Sequence, residues 1–172
     1  MFSQTSEYAL RIVVFLGTLR GTPATTKQIA AATRVPEGYL SKILQSLSRA
    51  RLVQSQRGLH GGSVLARDSA EIIIYDVVTA IAPLPRIESC PLLLASHGKN
   101  LCAVHKRLDD AVAMVEKTFR DSSIADLLSD VTPSIPLVDL PTSSAAATRA
   151  SEAAFAVDKP VTISVRKRTP KK

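Results

Sequence analysis

The chain has 172 residues, 45% of them apolar and 22% charged, which allows one domain with a sizeable core plus an appendage and excludes two full domains. Its net charge of +7 is unevenly spread: residues 1–67 hold nine Lys/Arg against two Asp/Glu, residues 68–132 six against ten, and residues 133–172 seven against three. No secretory leader is evident, no apolar run approaches the length needed to span a bilayer, and two cysteines argue against a disulfide framework, which leads to the expectation of a cytoplasmic protein.

Tyr8, Ala9, Ile12, Val13, Leu16 and Leu19 recur at helical spacing, so an amphipathic first helix is expected over about residues 5–19, stopped by Gly21-Thr22-Pro23. Thr25 with Gln28 reads as a capping box for a short second helix that turns Ile29, Ala30, Ala31 and Ala32 inward. Arg34-Val35-Pro36 breaks the chain before a third helix. There Leu40, Ile43, Leu44 and Leu47 form one apolar stripe, and Ser41, Lys42, Gln45 and Ser48 face the other way.

Residues 52–56 and 63–66 read as two short strands around Arg57-Gly58-Leu59-His60-Gly61-Gly62, whose three glycines suggest positive-φ positions at a ribbon tip. Asp68-Ser69-Ala70-Glu71 reads as a second capping box, opening a helix through about Ile81 with Ile72, Val77, Val78 and Ile81 as apolar positions. Pro83 and Pro85 end it. A polar stretch, residues 86–101, precedes a long helix from about Cys102 to Arg120. Along it Val104, Leu108, Ala111, Val115 and Phe119 repeat nearly as a coiled-coil seam, and such a stripe on a lone helix needs a partner.

A further short helix is expected over residues 123–128. Beyond Pro133 periodicity vanishes, and a tail ending in a basic cluster, Arg166-Lys167-Arg168, is expected to be disordered. Within it residues 145–156 suit a transient helix and 161–165 a short extended segment. A solvated terminus is preferred for the cluster over a phosphate-binding arm.

The fold class expected from these elements is mainly α with a small β-wing, a winged helix-turn-helix domain plus a long dimerisation helix. Four segments follow: residues 1–82 as the DNA-binding domain, 83–101 as an effector or cluster loop, 102–130 as the dimerisation helix and a short last helix, and 131–172 as the tail. In a winged helix-turn-helix the third helix enters the major groove and the wing reaches neighbouring backbone or minor groove. Lys42 can meet a guanine edge or a phosphate, and Ser41 and Gln45 can hydrogen-bond base edges. Arg57 suits a narrow, electronegative minor groove, and His60 stands beside it. Tyr39 and Lys27 complete this set of candidate contacts. The plain alternative is a winged helix that binds protein only.

Glu7-Tyr8-Ala9-Leu10-Arg11, Val35-Pro36-Glu37-Gly38-Tyr39-Leu40-Ser41-Lys42-Ile43-Leu44 and Gln56-Arg57-Gly58-Leu59-His60-Gly61-Gly62 together closely resemble the IscR/NsrR group of bacterial regulators, the Rrf-two family, over about residues 1–128. The resemblance implies a homodimer with crossing C-terminal helices, bound to a palindromic operator in double-stranded DNA. It assigns DNA reading to the positions of Gly38, Ser41 and Lys42 and to the wing pair Arg57 and Gly58. Many members repress transcription and sense iron–sulfur status, nitric oxide or redox state through a cluster in the loop before the dimerisation helix.

In that loop Cys90, His97, Cys102 and His105 offer thiolate and imidazole donors for a two-iron cluster, preferred over a four-iron one, or for a zinc ion. Cluster-binding relatives usually show three cysteines here, and Glu7 matches the position of a carboxylate ligand that some take from the other subunit. Packed cysteines with surface histidines and no cofactor form the competing reading, and a reversible Cys90–Cys102 disulfide a third. A zinc hydrolase built from Cys90, Cys102, His97, His105 and Glu88 is not expected, because no Gly-rich phosphate loop, nucleophile elbow or H-E-x-x-H element accompanies them.

Overall fold

The computed structural model describes residues 3–58, 61–92, 101–130 and 137, all within the unit Met1–Asp139. The expected features of the tail, the transient helix and the extended segment, lie outside the described residues.

Helix α1 (Gln4–Thr18) starts at Ser3, whose hydroxyl accepts from the Ser6 N–H at 3.1 Å. The sequence suggests an amphipathic helix, and its second half goes further: every residue from Ile12 to Gly17 is buried. A helix that is apolar all round belongs in a core, and α1 is the central element, touching helices and strand on several sides. Helix α2 (Thr26–Thr33) carries the expected capping box, with Gln28 N–H donating to Thr25 Oγ1 at 3.3 Å and Thr25 N–H to Gln28 Oε1 at 2.8 Å. Only Ile29 and Thr33 of α2 are buried and Ala31 is exposed, which corrects the inward placement of four consecutive residues. A period of 3.6 cannot put four neighbours on one side.

Helix α3 (Glu37–Arg49) follows Pro36 and buries Leu40, Ile43 and Leu47 as expected. Strands β1 (Val53–Gln56) and β2 (Gly62–Leu65) pair antiparallel from Val53↔Leu65 to Gln56↔Gly62. Ser63 also forms an isolated bridge with Ala24, its N–H donating to the Ala24 carbonyl at 2.8 Å and its carbonyl accepting from the Ala24 N–H at 3.0 Å. The ribbon is thereby fastened to the entry of α2.

The glycines of the ribbon divide into two roles. Gly58 takes φ +115°, as expected for a tight turn, but Gly61 and Gly62 do not need a positive φ. They need the absence of a side chain: a Cβ at Gly62 would lie 2.5 Å from the Ala24 carbonyl oxygen, and one at Gly61 would collide with that of Gln56.

The single helix expected from Asp68 through Ile81 is also corrected. Asp68 caps only a 3-10 turn, Ser69–Glu71, accepting from the Ala70 N–H at 2.8 Å, and α4 (Ile74–Thr79) starts after a break. The break has a tertiary cause, since Ile73 forms an antiparallel bridge with Ser123 and Ile124 N–H donates to the Ile72 carbonyl at 2.8 Å. A β-branched run, Ile72-Ile73-Ile74, accepts extended backbone readily. Helix α5 (Ala103–Arg120) and α6 (Ile124–Ser129) complete the chain order. Ser123 and Asp126 form a capping box for α6, and Ile124, fully buried, packs on α1 beside Gly17.

Candidate nucleic-acid interface

Helix α3 owes its orientation to its own stripe. With Leu40, Ile43 and Leu47 facing the core, geometry places Ser41, Lys42, Gln45 and Ser48 on the exposed side, with Glu37 exposed one turn before Ser41. Tyr39, at the helix start, is 56% exposed. Gly38 is exposed, and a Cβ there would meet nothing within 4 Å, so no contact inside the molecule requires glycine. Arg57 is exposed at the ribbon turn next to Gly58, and Lys27 is exposed on α2. Leu59 and His60 lie outside the described residues.

A cluster not anticipated from the sequence steadies this face. The Tyr8 ring meets the Tyr39 ring edge-on at 6.4 Å, and the Arg11 guanidinium lies 5.6 Å from the Tyr8 ring centre. Arg11 also pairs with Glu7 at 2.6 Å and donates to the Thr33 carbonyl at 3.3 Å, so one side chain ties α1 to the end of α2. Gln4 Nε2 donates to the Tyr8 hydroxyl at 2.9 Å. The signal is present in the sequence as i,i+4 pairs, Gln4 with Tyr8 and Glu7 with Arg11. The contact with Tyr39 is not, because it depends on how two helices pack.

The ends of the first three helices add cations. Arg20, Arg34 and Arg51 each take a positive φ, between 48° and 55°, at or just beyond the ends of α1, α2 and α3. Glycine is the usual choice at such positions, whereas a cation there complements the negative end of the helix dipole. At α6 the Asp126 carboxyl is held below its ordinary value, first by the Ser123 hydroxyl and then by the Ser123 N–H.

The sequence profile of the Rrf2 family, iron-dependent transcriptional regulators, matches residues 2–130. The chain belongs to this family. It is 34% identical over 131 residues to the HTH-type transcriptional regulator NsrR of Geobacillus kaustophilus, covering 73% of this chain and 87% of that protein. Its fold is similar to that of CymR (YrzC), the global cysteine regulator of B. subtilis, with 24% identity, a TM-score of 0.61 and coverage of 74% and 95%. It is similar also to T. potens IscR, with 23% identity, a TM-score of 0.62 and coverage of 77% and 88%. These two likenesses concern the fold, an Rrf2-type winged helix. As an Rrf2 protein the chain is a DNA-binding transcription regulator, in a family of regulators and not of enzymes.

The metal-donor candidates of this Rrf2 protein are only partly brought together. Cys102 stands at the N-terminus of α5 with its Sγ 3.3 Å from His105 Nδ1, one turn along the same helix. Cys90 is buried, and His97 lies outside the described residues. Glu7 is engaged by Arg11. A two-iron cluster needs four protein ligands, and among the described residues no three of His, Cys, Asp or Glu gather into a metal-holding group. The described donors of one protomer therefore do not fit a complete cluster site.

The dimerisation candidates lie along α5, no residue of which is buried. Val104 is 65% exposed and Leu108 52%; Ala111 and Val115 are exposed, and Phe119 is half-buried. Among the described residues no helix is long and apolar enough to cross a membrane.

Proposed function

We propose that this Rrf2 protein is a homodimeric repressor that docks two winged domains on the half-sites of a palindromic operator in double-stranded DNA. The observation that carries the reading is the exposed polar face of α3 formed by Ser41, Lys42 and Gln45, on which the one acid of the helix, Glu37, is confined to the first turn. Lys42 and Gln45 have the donors and acceptors that major-groove edges require, and Gly38 lets the backbone approach closely. Arg57 and Gly58, with Lys27 for the phosphates, extend the contact along the duplex, and His60 is assigned to the same wing. The exposed stripe Val104, Leu108, Ala111, Val115 and Phe119 supports pairing through α5.

The test is a mobility-shift titration of the full chain on a palindromic fragment from its own upstream region. Lys42→Ala with Arg57→Ala is expected to weaken binding by about 2–6 kcal/mol, the range for two specific contacts. Wild-type affinity in that double variant would refute the assignment of contacts and favour a protein-interaction module.

For the signal, the close Cys102–His105 pair favours a second element of the reading. A thiol and an imidazole side by side are a donor pair for borderline and soft metals, and this pair supports sensing of redox, nitric oxide or iron–sulfur status at Cys102, with Cys90 as the second thiol of the proposal. Anaerobic preparation followed by absorbance spectroscopy and iron and zinc analysis tests it. A colourless, metal-free dimer with full operator affinity would remove this element and leave the DNA-binding reading intact.

A further inference from the structure

We infer that the cavity between the root of the wing and α6 is a binding site for a small aliphatic carboxylate. It has a volume of about 650 Å³, within the range of small-molecule sites. Its walls come from the end of α1, the end of β2, the Ser69–Glu71 turn and α6. Gly17 forms part of the floor, and a Cβ there would stand 2.9 Å from Leu128 Cδ1.

The chemistry of the lining selects the ligand. Leu16, Leu65 and Leu128 supply an apolar wall with no aromatic ring among the lining residues, which suits an aliphatic body. Two arginines, Arg20 and Arg67, are among the residues that line the cavity. Arg20 has no ion pair among the described residues, although its backbone is held at φ +48°. Arg67 has one long pair, 3.6 Å to Asp76, with both side chains over a third exposed. Asp68 also lines the cavity, but its carboxylate is already engaged by the Ala70 N–H. The lining residues thus carry a net charge of plus one, and the guanidinium of an arginine offers a carboxylate a two-pronged hydrogen-bonding fork.

The site bridges two parts of the molecule. Arg67 and Leu65 lie at the end of the ribbon whose turn holds Arg57, while Leu128 lies on α6, which the Ile73↔Ser123 bridge ties to the segment before α4. A ligand that prefers one setting of the wing against α6 must shift operator affinity by the factor by which operator shifts its own. This second step rests on the DNA-binding reading, so the first measurement is made without DNA.

Calorimetric titration of the full chain with hexanoate is compared with 1-hexanol and inorganic phosphate. Hexanoate is expected to half-saturate near or below roughly 20 mM, where a ligand of about eight heavy atoms with ordinary efficiency falls, and more tightly than either control. Arg20→Ala with Arg67→Ala is expected to weaken it at least about tenfold while Arg20→Lys with Arg67→Lys retains part of the affinity. Circular dichroism melting checks that these exposed substitutions leave the fold intact. Absence of saturable hexanoate binding, or equal binding in the alanine variant, would overturn the site. Phosphate or hexanol binding as tightly as hexanoate would overturn the ligand class. Hexanoate binding that leaves operator affinity unchanged would overturn the coupling alone.

Discussion

Arg86 holds Asp109 through two parallel hydrogen bonds, Nε to Oδ1 at 2.7 Å and Nη2 to Oδ2 at 2.8 Å, joining positions 23 residues apart. The Ile87 N–H adds a third donor to Oδ1 at 2.9 Å. Arg86 also reaches Glu116 at 3.3 Å, Glu116 accepts from Arg120, and Arg120 lies 3.5 Å over the Tyr75 ring. The loop that leads to Cys90 is therefore clamped to α5, and α5 to α4. The hydrogen bond from Arg86, then that from Ile87, holds the Asp109 carboxyl well below its ordinary value of 3.8. A carboxyl depressed in the folded state stabilises fully above that ordinary value and loses its contribution as pH falls below it. Thermal melts from about pH 5 down to about pH 2 should show a steeper loss for wild type than for Asp109→Asn. Parallel curves for the two proteins would show that the clamp contributes nothing to stability.

Two glycines with opposite surroundings give a second prediction. A Cβ at Gly62 would press on Ala24 backbone, with oxygen at 2.5 Å and carbon at 2.6 Å, neither the end of a flexible side chain. Gly62→Ala should destabilise by about 1–3 kcal/mol as the Ala24↔Ser63 bridge shifts. Gly38, in the first turn of α3 with open space around it, should give the reverse. Gly38→Ala should stabilise by about 0.5–1 kcal/mol in urea titrations, while weakening operator binding if the backbone approaches DNA there.

Local patterns make most of the fold legible in the sequence. The Thr25–Gln28 box, the Leu40–Ile43–Leu47 stripe and the strand pair around Gly58 each depend on residues within one turn or hairpin, and each stands where expected. Apart from α2, where the helical period alone corrects the burial, three departures have their physical origin in distant contacts. The chain at Ile73 is extended because Ser123 pairs with it, Gly62 is small because Ala24 lies above it, and Tyr8 matters because Tyr39 meets its ring. No periodicity encodes these. The Cys/His set is legible as chemistry only; Cys102 and His105 share one helix turn, but Cys90 reaches its place through a loop.

Arg51 offers a third prediction. It follows α3 at φ +55°, exposed, with its N–H donating to the Ser48 carbonyl at 3.0 Å. A left-handed conformation costs a residue with a Cβ roughly 1–2 kcal/mol, part of which glycine returns as unfolded-state entropy. Arg51→Gly should therefore raise stability by about 0.5–1 kcal/mol in chemical denaturation. A loss of stability would mean that the guanidinium's interaction with the helix end outweighs the strain it imposes.

The proposed dimer leads to the last prediction. Helix α5 carries ion pairs on its flanks, Lys106 with Asp110 at 2.8 Å and Lys117 with Asp121, which leave the apolar seam as the surface without a solvating partner. Leu108, 52% exposed, lies in the middle of that seam, and a twofold axis would bury it once from each protomer. Burying one leucine side chain is worth about 1.5–3 kcal/mol, so replacing both copies by a cation should weaken self-association by on the order of a hundredfold or more. Sedimentation equilibrium of Leu108→Lys should report monomer at concentrations where wild type is dimeric, with an unchanged far-ultraviolet dichroism spectrum because the position is exposed within one chain. The same variant should lose operator affinity, since each half-site would then be bound without its neighbour. A dimer of wild-type strength would move the interface away from α5.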